Sequence, residues 1–181
     1  MTVSPYCAAK AAIRGFTDSL RCELIHDRSR VRLTHVHLPA VNTPQSERQR
    51  NKMDRQQQPV PPMFTPESIA EAILYAADHA PREMLVGLPT FNAVWAQKFV
   101  PGLLDAYLGR HGWDPQFVDA ANRQSDDILF DTVPGDPGAH GPYCKRERGA
   151  DLQMRVRMHP AASVCALAGV ALGAVALLRG R

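Results

Sequence analysis

The hydrophobic pattern of this chain changes register along its length. From Ser4 onward Ala9, Ala12, Ile13, Phe16, Leu20 and Leu24 recur at helical spacing and form one apolar stripe, with Arg14, Asp18 and Arg21 opposite. Ser4 can cap this helix and Pro5 suits its first position, where a missing N–H is no loss. The pattern predicts a helix ending near Asp27 and Arg28. Residues 31–38 are rich in Val, Leu, Thr and His without clean alternation and are closed by Pro39, which predicts a buried parallel strand. Residues 39–44 read as a loop, and 45–62 as a polar, glutamine-rich stretch with room for one short mobile helix. Thr65, Pro66 and Glu67 then stand in the order cap, first-turn proline and early acid. They open a helix whose expected apolar face is Ile69, Ala70, Ile73, Leu74 and Ala77, stopped by Pro81. Residues 84–88 read as a short strand, and 92–108 as a helix interrupted near Pro101 and Gly102.

Helix, strand, helix, strand, helix is the alternation of an α/β fold. Two strands cannot make a sheet buried on both faces, so the segment reads as the end of a larger sheet. Beyond Gly109 the character shifts. Residues 111–149 are rich in Asp, Gly and Pro, with a glycine spacing unlike a dinucleotide loop and no apolar strand leading into it, and a flexible tail is expected. Residues 161–178 form an uncharged run of about 18 residues, the lower limit for a membrane-spanning helix. Arginines flank it, and Gly169 and Gly173 give a spacing that permits close helix packing in lipid. A membrane anchor is the favoured expectation for this run; an alanine-rich helix buried on the protein surface or in an oligomer interface is the other.

Composition adds limits. The 181 residues suit one domain with tails, and a net charge of +3 does not point to nucleic acid. The arginine-dense stretches also contain acids, glutamines or glycines and read as solvated surface. The four cysteines (Cys7, Cys22, Cys144 and Cys165) form no C-x-x-C pair, so reduced thiols are expected and no metal site is assigned. His35 and His37 alternate on the predicted strand and face one side, which is weak ground for a metal without a third ligand. No charged-then-apolar signal opens the chain. The expected location is the cytoplasm, or the cytoplasmic face of a membrane through 161–178, and not outside the cell.

Tyr6 and Lys10 carry the sharpest chemical signal. They stand four apart and therefore stack on one face at the edge of the apolar stripe, where half-burial is expected. Alone, Y-x-x-x-K is common. Here small residues, Cys7, Ala8 and Ala9, fill the gap, and Ala11 and Ala12 follow, as a helix lying tightly against a partner needs. The run continues through Gly15, Phe16, Leu20, Arg21, Glu23 and Leu24. As a set, this segment resembles the catalytic helix of the short-chain dehydrogenase/reductase family. After the next strand, Pro39, Val41 and Thr43 resemble the family's Pro-Gly turn and its threonine, with Ala40 in place of the usual glycine. The resemblance covers residues 1–109.

It implies the C-terminal part of a Rossmann-type doubly wound parallel sheet, with the last two strands and three helices, followed by a loop-rich tail and the apolar C-terminal helix. The implied domains are 1–109, 110–160 and 161–178. The implied activity is NAD(P)-dependent interconversion of an alcohol and a carbonyl by hydride transfer. Either NAD or NADP is the implied cofactor, NADP slightly favoured, the selector residues being absent. Tyr6 would be the acid/base. A free phenol titrates near pH 10, and a nearby ammonium favours the phenolate. Lys10 would supply that charge and bind the nicotinamide ribose. The Val41 backbone would hold the carboxamide, and Thr43 would contact the amide or pyrophosphate. The expected substrate is a small or lipid-like alcohol or ketone, over which residues 45–64 would close, and a homo-oligomer is compatible.

The family's catalytic serine lies well ahead of the tyrosine, and Ser4 is too near Tyr6 for that role. The glycine-rich turn, the NAD/NADP selector and the active-site asparagine are not matched. The chain therefore reads as the back half of a reductase, inactive alone, with the face of helix 4–27 bare. The other reading is a non-catalytic remnant that serves as a membrane-tethered or partner-binding module.

Overall fold

The structure, a computed structural model, describes residues 4–122 and 127–163. The elements are α1 (Ser4–His26), β1 (His35–His37), β2 (Ala40–Val41), α2 (Gln45–Arg48), β3 (Arg55–Gln57), β4 (Met63–Phe64), α3 (Pro66–His79), β5 (Glu83–Leu85), α4 (Leu88–Phe99), α5 (Pro101–His111), β6 (Phe117–Ala121), β7 (Glu147–Arg148) and α6 (Leu152–Met158). The fold is mixed α/β with parallel pairing. β1 pairs in parallel with β5, placing Val36 opposite Met84. β4 lies between β2 and β7, parallel to both. β3 and β6 form an antiparallel pair.

The core is small. Phe64, Ile69, Ala72, Ala76, Met84, Val86 and Met154 are its buried members. α3 is built as its cap signals dictate: the Thr65 hydroxyl accepts the Ser68 N–H at 3.4 Å, and Pro66 sits in the first turn. It ends where Ala80 turns left-handed (φ 43°) and returns its N–H to the Ala76 carbonyl at 2.9 Å. Its buried face differs from the expected one. Ile69, Ala72 and Ala76 are buried, whereas Ala70, Ile73, Leu74 and Ala77 are exposed. The helix carries apolar residues on two stripes, and the core of the described chain covers only one.

The interruption expected near Pro101 is present, since α4 stops at Phe99 and α5 restarts at Pro101. Gly87 makes the β5–α4 corner at φ 81°, with Phe64 and Pro39 packed against its Cα. Residues 110–160, expected as a flexible tail, instead contribute β6, β7 and α6. Met154 of α6 is fully buried. Gln153 brackets the corner, accepting the Gly87 N–H at 2.8 Å and donating to the Leu85 carbonyl at 3.0 Å. Asp151 caps α6 and also accepts the Leu88 N–H at 2.6 Å. Few apolar residues suffice here because side chains from the tail satisfy backbone groups that the corner leaves unpaired.

Among the described residues no helix is long and apolar enough to cross a membrane. The run at 161–178, expected as an anchor, lies outside the described residues from 164 onward.

Candidate functional site

α1 supplies the first group of site residues. Its amphipathic spacing holds, but none of its residues is buried. It meets the rest of the chain through its C-terminal half. Arg14 pairs with Glu83 at 3.3 Å, Asp18 pairs with Arg82, and the Arg21 guanidinium donates to the Leu33 carbonyl. The N-terminal half stands clear. Tyr6 is 60% exposed, and the Lys10 ammonium lies 5.2 Å from the centre of its ring. The expected half-buried setting is therefore corrected to a solvent-facing one. The pair is together, as four-residue spacing on a helix requires, but no element of the described chain covers it.

Pro39, Val41 and Thr43 form the second group, on the turn around β2. Val41 pairs with Phe64 of β4, and the Thr43 N–H bonds back to the Val41 carbonyl at 3.0 Å. Pro39, Val41 and Thr43 are all partly buried. Two clefts, of about 230 and 480 Å³, flank Arg32 and Ala80 and line neither this turn nor the Tyr6–Lys10 pair.

Between the turn residues lies Asn42, which sequence reasoning passed over. It is fully buried. Its Nδ2 donates to Glu147 Oε2 at 2.6 Å and to the Gly141 carbonyl at 3.2 Å, with Cys144 Sγ at 3.7 Å. Its Oδ1 accepts the Tyr143 N–H at 3.2 Å. Its backbone is used as well: the N–H goes to the Phe64 carbonyl and the C=O takes the Gly141 N–H, both at 3.0 Å. One asparagine thus straps residues 141–147 across the turn. Gly141 is obligatory in this contact, since a Cβ there would sit 2.5 Å from the Thr43 carbonyl oxygen. The strap joins residues about a hundred apart in sequence, a separation no local pattern reveals.

The strap carries three donor side chains. His140, Cys144 and Glu147 place one ligand atom each so that all lie within 4.8 Å of one another. His140 Nε2 also faces Glu67 at 2.8 Å, and His140 Nδ1 lies 3.5 Å from Glu147 Oε1.

A second polar cluster joins α1 to the sheet. His35 and His37 share a face, as alternation predicts, with ring centres 4.4 Å apart. His37 Nε2 meets Glu83 at 2.7 Å, and Arg14 reaches the same carboxylate. Burial pushes the Glu83 carboxyl up. The His37 hydrogen bond and the charges of Arg14, His37 and Lys98 outweigh it and hold the group below the usual carboxylate range. His35 is held below the ordinary imidazole value by burial first and then by the charge of His37.

Comparison with known proteins gives one orientation. A curated protein of Bacillus subtilis (strain 168), named an uncharacterized oxidoreductase, YxnA, is 28% identical over 177 residues, which is 96% of this chain and 49% of that protein. The chain spans about half the length of this relative. No family model and no solved structure matches the chain.

Proposed function

We propose that the chain is part of an NAD(P)-dependent oxidoreductase of the short-chain dehydrogenase/reductase type, with Tyr6 as its acid/base. The reading is carried by the Tyr6–Lys10 pair: a phenol and an ammonium one helical turn apart, 5.2 Å from nitrogen to ring centre, both open to a ligand. Similarity to a protein named as an oxidoreductase supports the same direction. A nicotinamide nucleotide, when bound, supplies or accepts the hydride. Tyr6 donates the proton at the substrate oxygen in reduction and accepts it in oxidation. Pro39, Val41 and Thr43 hold the nicotinamide end, and Lys10 the ribose. These residues suit that end of the nucleotide, with hydroxyl, ammonium and turn backbone accessible or half-accessible. They do not include a pyrophosphate cradle, because no glycine-rich strand–turn–helix occurs among the described residues. The substrate class is a small alcohol or ketone.

The test uses the longest form of the protein made in its own cell. Consumption of NADPH and NADH is followed over a carbonyl panel, with nucleotide binding read by fluorescence. Tyr6→Phe is expected to lose about 10²- to 10⁴-fold in turnover while nucleotide binding persists. Unchanged turnover would remove Tyr6 from the chemistry.

A second reading, a non-catalytic partner-binding module, is favoured by the bare face of α1, where Ile13, Phe16 and Ile25 are 50%, 67% and 71% exposed. It predicts neither nucleotide binding nor turnover in the same assay.

A further inference from the structure

The geometry points to a zinc-class divalent metal site formed by His140 Nδ1, Cys144 Sγ and Glu147 Oε1. Imidazole, thiolate and carboxylate together suit a borderline ion such as Zn²⁺, which takes three protein ligands and one open position at many sites. The distances are close to what such an ion imposes. Two ligands at about 2.1 Å on a tetrahedral ion stand about 3.4 Å apart, and His140 Nδ1 lies 3.5 Å from Glu147 Oε1. One ligand atom from each of the three residues lies within 4.8 Å of the other two, and the thiol, exposed on a turn, needs to close by at most roughly 1 Å to reach ligand spacing.

The surroundings already have the form of an outer shell. Glu67 Oε1 sits 2.8 Å from His140 Nε2, so a carboxylate acceptor stands behind the ring on the side away from Glu147, where a metal-bound imidazole would place its remaining N–H. A carboxylate behind a ligating imidazole is the usual arrangement at zinc. Buried Asn42 donates to Glu147 Oε2 at 2.6 Å, which leaves Oε1 free for the metal, and stands 3.7 Å from Cys144 Sγ. Spacing alone did not flag the set, since His, three residues, Cys, two residues, Glu is not a common ligand pattern, and Asn42 and Glu67 come from distant parts of the chain. The inference is independent of any catalytic role for Tyr6. An ion here would fasten residues 140–147 across the turn that carries Thr43.

The experiment uses the untagged full chain, kept reduced, titrated with Zn²⁺ by calorimetry and with Co²⁺ by absorption. One equivalent of Zn²⁺ is expected to bind, and Co²⁺ is expected to give a near-ultraviolet thiolate charge-transfer band. Cys144→Ser should abolish the band. His140→Ala should weaken Zn²⁺ by more than the ten- to hundredfold that an outer partner is worth. Glu67→Gln, a surface change that leaves all three ligands in place, should weaken it by about tenfold. Cys7→Ser should change nothing. A missing thiolate band in the parent chain overturns the site, as does a band that survives Cys144→Ser or vanishes in Cys7→Ser. Zn²⁺ affinity that is unchanged in both His140→Ala and Glu67→Gln overturns it equally.

Discussion

Asn42→Asp exchanges one atom, yet the structure assigns it a large and pH-dependent cost. The Nδ2 amide donates at 2.6 Å to Glu147, whose side chain is 11% exposed. Replacing that donor with an oxygen removes a hydrogen bond to a charged group, about 1.5–3 kcal/mol, and a neutral one to the Gly141 carbonyl, about 1 kcal/mol. It also sets two carboxylates against each other in a site with little water. Near pH 7 they escape by taking up one proton, which costs about 4 kcal/mol for a carboxyl that ordinarily titrates near 4. The new acid then recovers one bond to Glu147. The net loss is about 5 kcal/mol near pH 7. Near pH 5 the proton costs only about 1.4 kcal/mol. Asn42→Ala removes the same bonds and leaves the Tyr143 N–H and Glu147 Oε2 unpaired, for about 2–4 kcal/mol with no pH dependence of its own. Urea unfolding of the parent and both variants near pH 7 and pH 5 reads this directly. Asn42→Asp should be the less stable variant at the higher pH and should regain ground on Asn42→Ala at the lower. A cost below about 1 kcal/mol near pH 7, or a gap between the variants that ignores pH, would refute the strap as described.

Gly87→Ala should lose about 1–3 kcal/mol, because φ 81° with ψ 145° is backbone that glycine alone adopts readily and the new methyl meets the Phe64 ring at 3.3 Å; thermal melting checks it. Met84→Ala should cost about 2–5 kcal/mol in urea unfolding, since Met84 is 1% exposed in the core, and a loss under 1 kcal/mol would mean the β1–β5 pair is not packed as seen. Glu83 and His35 both bind fewer protons folded than unfolded, so their contributions rise with pH. The His35 contribution is lost as pH falls from about 6.5 toward its lower folded value, and the Glu83 contribution as pH falls through its own depressed value. Glu83→Gln should flatten the acid limb of a urea midpoint series, and an unchanged limb would exclude the pairing with His37 and Arg14.

What the sequence determined was local. Cap residues, prolines and helical spacing placed α1, α3 and the α4–α5 break to within a few residues, because those signals act between positions one to four apart. The same short range brought Tyr6 beside Lys10 and set His35 beside His37. The parallel pairing expected of the 31–38 segment is present, with β5 as its partner, although the regular strands are shorter than expected and β1 is half-buried rather than buried. Tertiary structure alone decided which face of α3 is buried, since burial depends on what lies across the helix and both stripes are apolar. It also left the apolar stripe exposed in the first half of α1 among the described residues. The Asp- and Gly-rich tail looked unable to pack because its own apolar content is low. It packs nonetheless, because Asn42, Asp151 and Gln153 tie it to the core through polar bonds across 60 to 105 residues. Contacts at that separation leave no periodic trace in a sequence, and the His140, Cys144 and Glu147 cluster exists only because they close.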